Sequence, residues 1–233
     1  MSNMNFIKKR IVVLTGAGMS AESGLKTFRD ANGLWEGYDV MQVASPQGFA
    51  TNPKLVFEFY NQRRRQLLQV EPNQGHKALV TLEKYFEVSI ITQNVDNLHE
   101  QAGSSKVLHL HGELLKVRST VNENYVLDWR DDLNLGDLDN EENQLRPHIV
   151  WFGEMVPLLE KAIEITQTAD ILIIVGTSMQ VYPAASLVNY TKSDTPIYFI
   201  DPKPNVSQND FQNLTILSTT ASIGVPQLVK QLI

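Results

Sequence analysis

Six short apolar runs, separated by longer amphipathic stretches, constrain the fold of this chain more than any other feature. Each run has four or five residues and is rich in β-branched side chains, which is typical of strands buried on both faces of a parallel sheet. The runs cover residues 11–14, 88–92, 107–110, 171–175, 197–200 and 214–217. Alternation of such strands with helices predicts an α/β fold, a Rossmann-like doubly wound parallel sheet.

The stretches between the runs show helical periodicity, with apolar residues three or four positions apart. The predicted helices cover residues 53–70, 76–86, 154–167, 183–190 and 225–232. Residues 20–52 and the acidic, Asn-rich region within 113–147 do not follow this alternation. We therefore expect one domain, 1–233, whose large Rossmann-like part (about 1–19, 70–112 and 148–233) carries a smaller inserted module (about 20–69 and 113–147).

Composition excludes several classes of protein. With 20 Lys and Arg against 26 Asp and Glu, the net charge of −6 gives no electrostatic reason to expect nucleic acid or an anionic membrane as partner. The chain has no cysteine, so disulfides and thiolate metal sites are excluded. The first apolar run is too short for a secretory signal or a membrane span, which predicts a soluble cytoplasmic protein.

The first predicted strand ends in a glycine loop, Gly16-Ala17-Gly18-Met19-Ser20-Ala21. Glycine tolerates positive φ and lets backbone N–H groups approach phosphate oxygens, and the spacing fits a loosened dinucleotide fingerprint. An ordinary strand-to-helix turn is the alternative. No apolar run precedes Glu36 or Asp39, so a standard hydride-transferring dehydrogenase is disfavoured.

Polar side chains follow two later strands. Residues 93–97 read QNVDN and residues 108–113 read LHLHGE. A carboxamide, a carboxylate and an imidazole at strand ends, combined with a glycine loop, are suited to chemistry on a dinucleotide rather than to binding alone. The combination predicts an enzyme.

Taken together, five blocks and the strand ending Ile200-Asp201 resemble the sirtuin family of NAD-dependent protein-lysine deacylases. The blocks are GAGMSAESGLKTFR (16–29), TQNVDNLHEQAG (92–103), LHLHGEL (108–114), RPHIVWFGEMVP (146–157) and VGTSMQVYPAASL (175–187). The resemblance implies that NAD is a consumed co-substrate and that acylated-lysine proteins are the partners. The implied products are free lysine, nicotinamide and 2′-O-acyl-ADP-ribose.

The resemblance also implies roles for individual residues. His111 is the expected general base, Asn94 is expected to position the ribose and a water, and Asp96 the nicotinamide carboxamide. His109 lies two residues before His111 and would share its face in a regular strand, so it is a rival. By the resemblance, the NAD-contacting residues are Gly16, Ala17, Gly18, Ser20, Ala21, Glu22, Thr27, Phe28, Arg29, Trp35, Gln93, Asn94, Val95, Asp96, His111, Gly176, Thr177, Ser178, Asp201, Pro202, Lys203 and Ala221.

Several residues are similar to the desuccinylase and demalonylase-like branch of the family. Tyr60 and Arg63, three apart on a predicted helix, match its clamp for an acyl carboxylate, and Ala44 matches the small residue that leaves room for a longer acyl chain. The alternative is that residues 63–65 form a solvated helix edge. Val150, Trp151, Phe152, Gly153 and Glu154 resemble the strand that pairs with the substrate peptide, although the two aromatic residues could also be plain core.

The chain departs from most sirtuins where they hold zinc with four cysteines. Residues 119–145 offer no cysteine or histidine, so we predict no zinc or other metal, and expect the module to depend on apolar packing. Its candidate core residues are Val121, Tyr125, Val126, Leu127, Trp129 and Leu133. Two other functions stay open: a sirtuin-type protein ADP-ribosyltransferase, and a non-catalytic NAD- or ADP-ribose-binding module.

Overall fold

The structure is a computed structural model that describes residues 8–26, 34–35, 37–207 and 209–233, with the backbone alone at 34 and 35. Within these residues the strands, in chain order, are β1 (Arg10–Thr15), β2 (Leu34–Trp35), β3 (Tyr38–Asp39), β4 (Glu87–Thr92), β5 (Val107–His109), β6 (Gly112–Ser119), β7 (Val126–Asp128), β8 (Leu145–Ile149), β9 (Ile171–Val175), β10 (Ile197–Ile200) and β11 (Leu214–Leu217). The α-helices are α1 (Val40–Val43), α2 (Pro46–Thr51), α3 (Pro53–Leu67), α4 (Gln74–Leu82), α5 (Leu98–Ala102), α6 (Leu159–Gln167) and α7 (Ala221–Leu232). Short 3₁₀ helices cover Ala17–Met19, Ala21–Ser23 and Ala184–Tyr190.

The six predicted apolar runs form one parallel sheet, in the order β11-β10-β9-β1-β4-β5. Each strand agrees with its predicted bounds to within one residue at either end. The prediction of a doubly wound α/β fold is therefore confirmed. From β1 the chain proceeds to β4 and β5 on one side and returns through β9 to β10 and β11 on the other. The order thus reverses between β1 and β9, where such sheets open a crevice at their carboxyl ends.

Both faces of the sheet are covered, which explains why its strands are continuously apolar. Successive side chains of a strand point to opposite faces. Ile11 and Val13 accordingly join one cluster, with residues of α4 and α7, while Val12 and Leu14 join the other, with residues of α6 and of the 3₁₀ helix at 184–190. Both clusters consist of fully or nearly fully buried side chains, so the sheet forms a rigid base for the strand ends.

A smaller unit lies outside this sheet and contains the antiparallel sheet β7-β6-β8. Its core is Phe57 of α3 with Val117, Leu133 and Leu145, against which four aromatic or aliphatic side chains pack: Phe49, Tyr125, Leu127 and Trp129. Val121 was predicted to belong to this core, and that prediction is wrong. It lies in the turn between β6 and β7, where its residue surface is 72% exposed.

The predicted helix boundaries differ from the observed ones where other elements intervene. Turns occupy the beginning of the predicted helix 154–167, and α6 begins at Leu159. Residues 184–190 form a 3₁₀ helix rather than an α-helix. Helix α7 begins at Ala221, earlier than predicted, and contains Pro226 in its interior. Its start is stabilised from elsewhere in the chain, because the Glu22 carboxylate accepts hydrogen bonds from the Ser222 backbone N–H at 2.8 Å and hydroxyl at 2.5 Å.

Candidate active site

A cavity of about 300 Å³ opens at the carboxyl ends of β1, β4 and β9, and its wall continues into the smaller unit. The predicted nucleotide-binding residues in its wall are Gly16, Ala17, Gly18, Ser20, Gln93, Asn94, Val95, Asp96, His111, Gly176, Thr177 and Ser178. All the predicted substrate-binding residues also line it: Ala44, Tyr60, Arg63, Val150, Trp151, Phe152, Gly153 and Glu154. The sheet and the module thus contribute to one space.

Some predicted residues are not in this wall. Ala21, Glu22, Asp201, Pro202, Lys203 and Ala221 lie outside it, while Thr27, Phe28, Arg29 and the side chain of Trp35 lie outside the described residues. Glu22 instead stabilises the start of α7. Sequence reasoning missed the lining residues Leu25, Lys26, Gln66, Leu114, Ile149, Val156, Val181, Tyr182 and Pro183. Most of them fall inside the family blocks, so the blocks were the available signal, whereas Gln66 carried none.

The glycines at the switch point serve close packing of two loops. A Cβ on Gly16 would lie 2.7 Å from Thr177 Cβ, one on Gly18 2.7 Å from Gly176 Cα, and one on Gly176 2.3 Å from the Met19 nitrogen. Gly16 has an extended backbone with a φ of −124°, whereas the Gly176 φ of 63° lies in the left-handed region that favours glycine. The loops of β1 and β9 therefore approach each other more closely than side chains would permit.

Ser20 connects the glycine loop to the polar residues after β4. Its hydroxyl donates to Asp96 Oδ2 at 2.9 Å and accepts from Asn94 Nδ2 at 3.2 Å, and the same nitrogen donates to the Gly16 carbonyl at 3.0 Å. Burial raises the pKa of Asp96 above its ordinary value, while the hydrogen bonds from the Leu98 N–H and the Ser20 hydroxyl act in the opposite direction. The carboxamide and the carboxylate are thereby fixed in orientation beside the loop.

His111 lies in a turn between β5 and β6, with its ring in the cavity wall. Its Nδ1 is 3.1 Å from the Gln93 carbonyl oxygen, which only accepts hydrogen bonds, so Nδ1 carries the proton in the neutral ring and Nε2 is the basic nitrogen. Burial lowers the pKa of His111 below its ordinary value, and the hydrogen bond to Gln93 offsets part of that shift. The ring is therefore neutral near pH 7 and able to accept a proton.

His109 has a different environment from its rival. Its Nδ1 is 3.0 Å from the Asn94 carbonyl and its Nε2 is 2.8 Å from the Glu100 carboxylate, so both nitrogens face acceptors. Burial would lower the pKa of His109, but the hydrogen bond and negative charge of Glu100 outweigh it and the pKa is raised. Strand β5 ends at His109, so the two histidines do not share a strand face, and His109 is absent from the cavity wall.

Helix α3 carries Tyr60 and Arg63 into the cavity wall together, on the face that their spacing predicts. Arg63 donates to the Phe59 carbonyl at 2.6 Å and its guanidinium lies 3.2 Å from the Phe59 ring centroid. The alternative of a solvated helix edge is wrong for two of the three arginines. Arg63 and Arg64 are buried, and only Arg65 is exposed, paired with the carboxylates of Glu58 and Asp132.

Residues 150–154 were expected to form a strand that pairs with a substrate peptide. Instead, β8 ends at Ile149 and a turn follows, in which the Gly153 φ is 90°. The backbone N–H groups of Val150, Phe152 and Glu154 donate to the carbonyls of His111, Ala44 and Trp151. These internal bonds leave little of the segment for a regular ladder. Trp151 is both core and cavity wall, with 2% of its surface exposed.

The described residues contain no cluster of three or more His, Cys, Asp or Glu side chains suited to a metal ion. The absence of zinc stays a prediction. Nor does any helix in the described part of the chain combine the length and apolar character required to span a bilayer.

Comparison with known proteins relates this architecture to one family. The family model described as "Sir2 family" matches residues 16–183. The chain is 58% identical over 225 residues to an NAD-dependent protein deacylase of Helicobacter pylori, covering 97% of this chain and 98% of that protein. It is 52% identical over 231 residues to an NAD-dependent protein deacylase of Bacteroides thetaiotaomicron, covering 97% and 98%.

Solved structures show the same relationship. A Sir2 homologue in complex with NAD superimposes with a TM-score of 0.86 at 38% identity, over 96% of this chain and 89% of that one. A Sir2 protein with a deacetylated p53 peptide and 3′-O-acetyl-ADP-ribose superimposes with a TM-score of 0.79 at 30% identity, over 96% and 94%. The family match covers most of the chain, and the parallel sheet and the smaller antiparallel unit agree with these structures. This chain belongs to the Sir2, or sirtuin, family.

Proposed function

We propose that this protein is an NAD-dependent protein-lysine deacylase that removes acetyl and also acidic acyl groups such as succinyl and malonyl. One observation carries the proposal: a neutral imidazole, His111, shares a cavity with a glycine cradle on one side and an aromatic-lined, arginine-containing wall on the other. The names of the curated relatives point to the same activity.

The crevice fits a dinucleotide. Gly16, Gly18 and Gly176 have no side chain between the two loops, and the polar side chains of Ser20 and Asn94 line the same space. Backbone N–H groups at such a loop suit a pyrophosphate. Bound NAD would supply an electrophilic ribose carbon, with nicotinamide as the leaving group. The residues that would hold it are those of the 16–20, 93–96 and 176–178 segments.

The chain's own residues would then fix the sugar and move a proton. Asn94 and Asp96, held through Ser20, present a carboxamide and a carboxylate whose orientations are set before binding. Fixed dipoles of this kind stabilise developing charge without reorganisation. His111 would accept a proton from a ribose hydroxyl at Nε2, because Nδ1 is held by the Gln93 carbonyl.

The opposite wall suits an acylated lysine with an acidic end. Ala44 is small and buried there, Trp151 offers an apolar surface for the lysine methylenes, and Tyr60 and Arg63 offer a hydroxyl and a guanidinium. A planar guanidinium fork is well suited to a carboxylate. The turn at 150–154, with its N–H groups mostly satisfied, suggests that the substrate backbone makes fewer ladder bonds to it than a strand would permit.

Two other activities use parts of the same site. An ADP-ribosyltransferase would need the nucleotide side but not a second wall for an acyl chain, and a pure NAD-binding module would not need a neutral imidazole beside the sugar. The continuous cavity from His111 to Tyr60 favours deacylation over both.

The test incubates purified protein with NAD and matched acetyl-, succinyl- and malonyl-lysine peptides, following peptide mass and nicotinamide release. Arg63→Met should lower kcat/KM for the acidic peptides about 10- to 100-fold, the value of a hydrogen-bonded charge pair, and much less for the acetyl peptide. Arg65→Met is the matched control, because Arg65 is exposed and its partners, Glu58 and Asp132, are not in the cavity wall. Equal losses on all peptides in the Arg63 variant would contradict the clamp, and absence of any peptide mass change would contradict deacylation.

A further inference from the structure

A mostly buried ionic cluster lies at the acyl wall, where Glu154 lines the cavity and its two arginine partners do not. Glu154 accepts from Arg146 through both carboxylate oxygens, at 2.6 and 3.2 Å, and from Arg118 at 3.3 Å. The Arg146 and Arg118 side chains are 10% and 8% exposed, and that of Glu154 20%. Ion pairs removed from water in this way are worth retaining only when their geometry is close and their donors are satisfied. The cluster therefore calls for an explanation beyond stability.

The cluster contacts Trp151 at two places, its backbone and its ring. Glu154 also accepts the Trp151 backbone N–H at 2.8 Å, and the Arg146 guanidinium lies 3.4 Å from the centroid of the Trp151 ring. Arg146 additionally donates to the Ile149 carbonyl at 3.0 Å, at the end of β8. The carboxylate thus fixes the main chain of Trp151, and the guanidinium fixes its indole.

The orientation of the indole decides what the Tyr60 hydroxyl can do. Trp151 Nε1–H donates to the Tyr60 oxygen at 3.0 Å. Indole nitrogen is only a donor, so the tyrosine oxygen is the acceptor in this bond, and its own proton is directed to another partner. Tyr60 lines the cavity, where an acceptor such as a carboxylate oxygen would satisfy that proton. Burial raises the pKa of Tyr60, with the Trp151 hydrogen bond acting in the opposite direction, which keeps the phenol protonated.

We propose that Arg146 is a positioning residue for acyl selectivity: paired with Glu154, it holds the Trp151 indole so that Tyr60 presents its hydroxyl proton to an acidic acyl group. The inference rests on the proposed deacylase function and deepens it. Arg146 does not line the cavity, so its effect passes through Trp151.

The experiment compares wild type, Arg146→Met and Arg146→Lys on acetyl- and succinyl-lysine peptides, measuring kcat and KM separately. In the Met variant the ratio of succinyl to acetyl kcat/KM should fall about tenfold, mainly through the succinyl KM, as expected for loss of one hydrogen bond to a charged group. The Lys variant retains the charge for Glu154 but loses the planar fork over the ring, so its ratio should be intermediate. Arg65→Met is the control and should leave the ratio unchanged.

A spectroscopic reading accompanies the kinetics. Tryptophan emission of Arg146→Met should differ from that of wild type, and the difference should disappear when both carry Trp151→Phe. Should the Met variant fail to fold, Glu154→Gln, which conserves volume, replaces it and should also lower the ratio. A purely structural role would lower kcat/KM equally for both peptides and leave their ratio unchanged. An unchanged ratio therefore overturns the proposal. Failure of the proposed function is a different outcome, in which wild type itself deacylates neither peptide.

Discussion

Acid should destabilise this fold through a buried histidine that is not part of the cavity wall. His76 in α4 is fully buried, and within the described residues neither of its ring nitrogens has a hydrogen-bond partner. The His99 ring contacts it edge-on, with centroids 4.8 Å apart. Burial lowers the pKa of His76 to about 4, with the negative charge of Glu100 acting in the opposite direction. The native state therefore holds this ring neutral.

The sign of the pH dependence follows from linkage. Between pH 6.5 and about 4 the unfolded chain binds a proton at His76 and the native chain does not, so the free energy of unfolding falls as pH falls through this window. At about 1.4 kcal/mol per pKa unit, the difference between 6.5 and about 4 corresponds to about 3.4 kcal/mol in full. About 2.5 kcal/mol of this should be lost between roughly pH 7 and pH 4.5.

The perturbation is His76→Leu, assayed by urea unfolding at constant ionic strength at several pH values, with far-UV circular dichroism as signal. Leucine has a similar volume and no polar atoms to leave unpaired, so the variant should be at least as stable as wild type at pH 7. It should then lose about 2.5 kcal/mol less than wild type on acidification.

The same replacement at His148 is the matched control. His148 is half-buried, and burial also lowers its pKa. His148→Leu should therefore reduce the loss of unfolding free energy on acidification by less than His76→Leu does. If the acid loss of His76→Leu equals that of wild type, the reasoning from an unpaired buried imidazole is refuted.

Other predictions concern the site and the module. His111→Gln should lower kcat for deacylation at least about 100-fold while the thermal midpoint stays close to wild type, as loss of a general base requires. In the wild type, kcat/KM should fall as the pH is lowered below 6.5, because the His111 pKa is lowered and only the neutral ring accepts a proton. A fall in kcat/KM that begins above pH 6.5 would contradict this. Gly176→Ala should lower the free energy of unfolding, measured with urea, by more than about 2 kcal/mol, because the residue has a positive φ and its Cβ would clash with the backbone. Gly37→Ala should lower it by less, because Gly37 also has a positive φ but its Cβ would meet nothing within 4 Å. EDTA should leave the thermal midpoint unchanged, and a lowered midpoint with one zinc released per chain would show a structural metal.

The central sheet was predictable because its strands are buried on both faces. Continuous β-branched runs have few alternatives, and all six strands were found to within one residue. Helix ends were less predictable. The early start of α7 depends on Glu22, some 200 residues away, and no local pattern reports such a contact. Val121 was wrongly assigned to the module core because apolar character alone does not distinguish a strand from the turn that follows it.

The sequence alone determined the strand set and the family blocks, because hydrophobic period and short spaced motifs are local properties of the chain. It also listed His109 as a rival of His111, and only the resemblance to the family favoured His111. Only the tertiary structure placed acceptors at both nitrogens of His109 and at Nδ1 of His111, and thereby assigned their protons. It likewise buried Arg146 and Glu154 against Trp151. The physical reason is common to both cases: protonation and orientation depend on partners brought together by folding, which the order of residues does not specify.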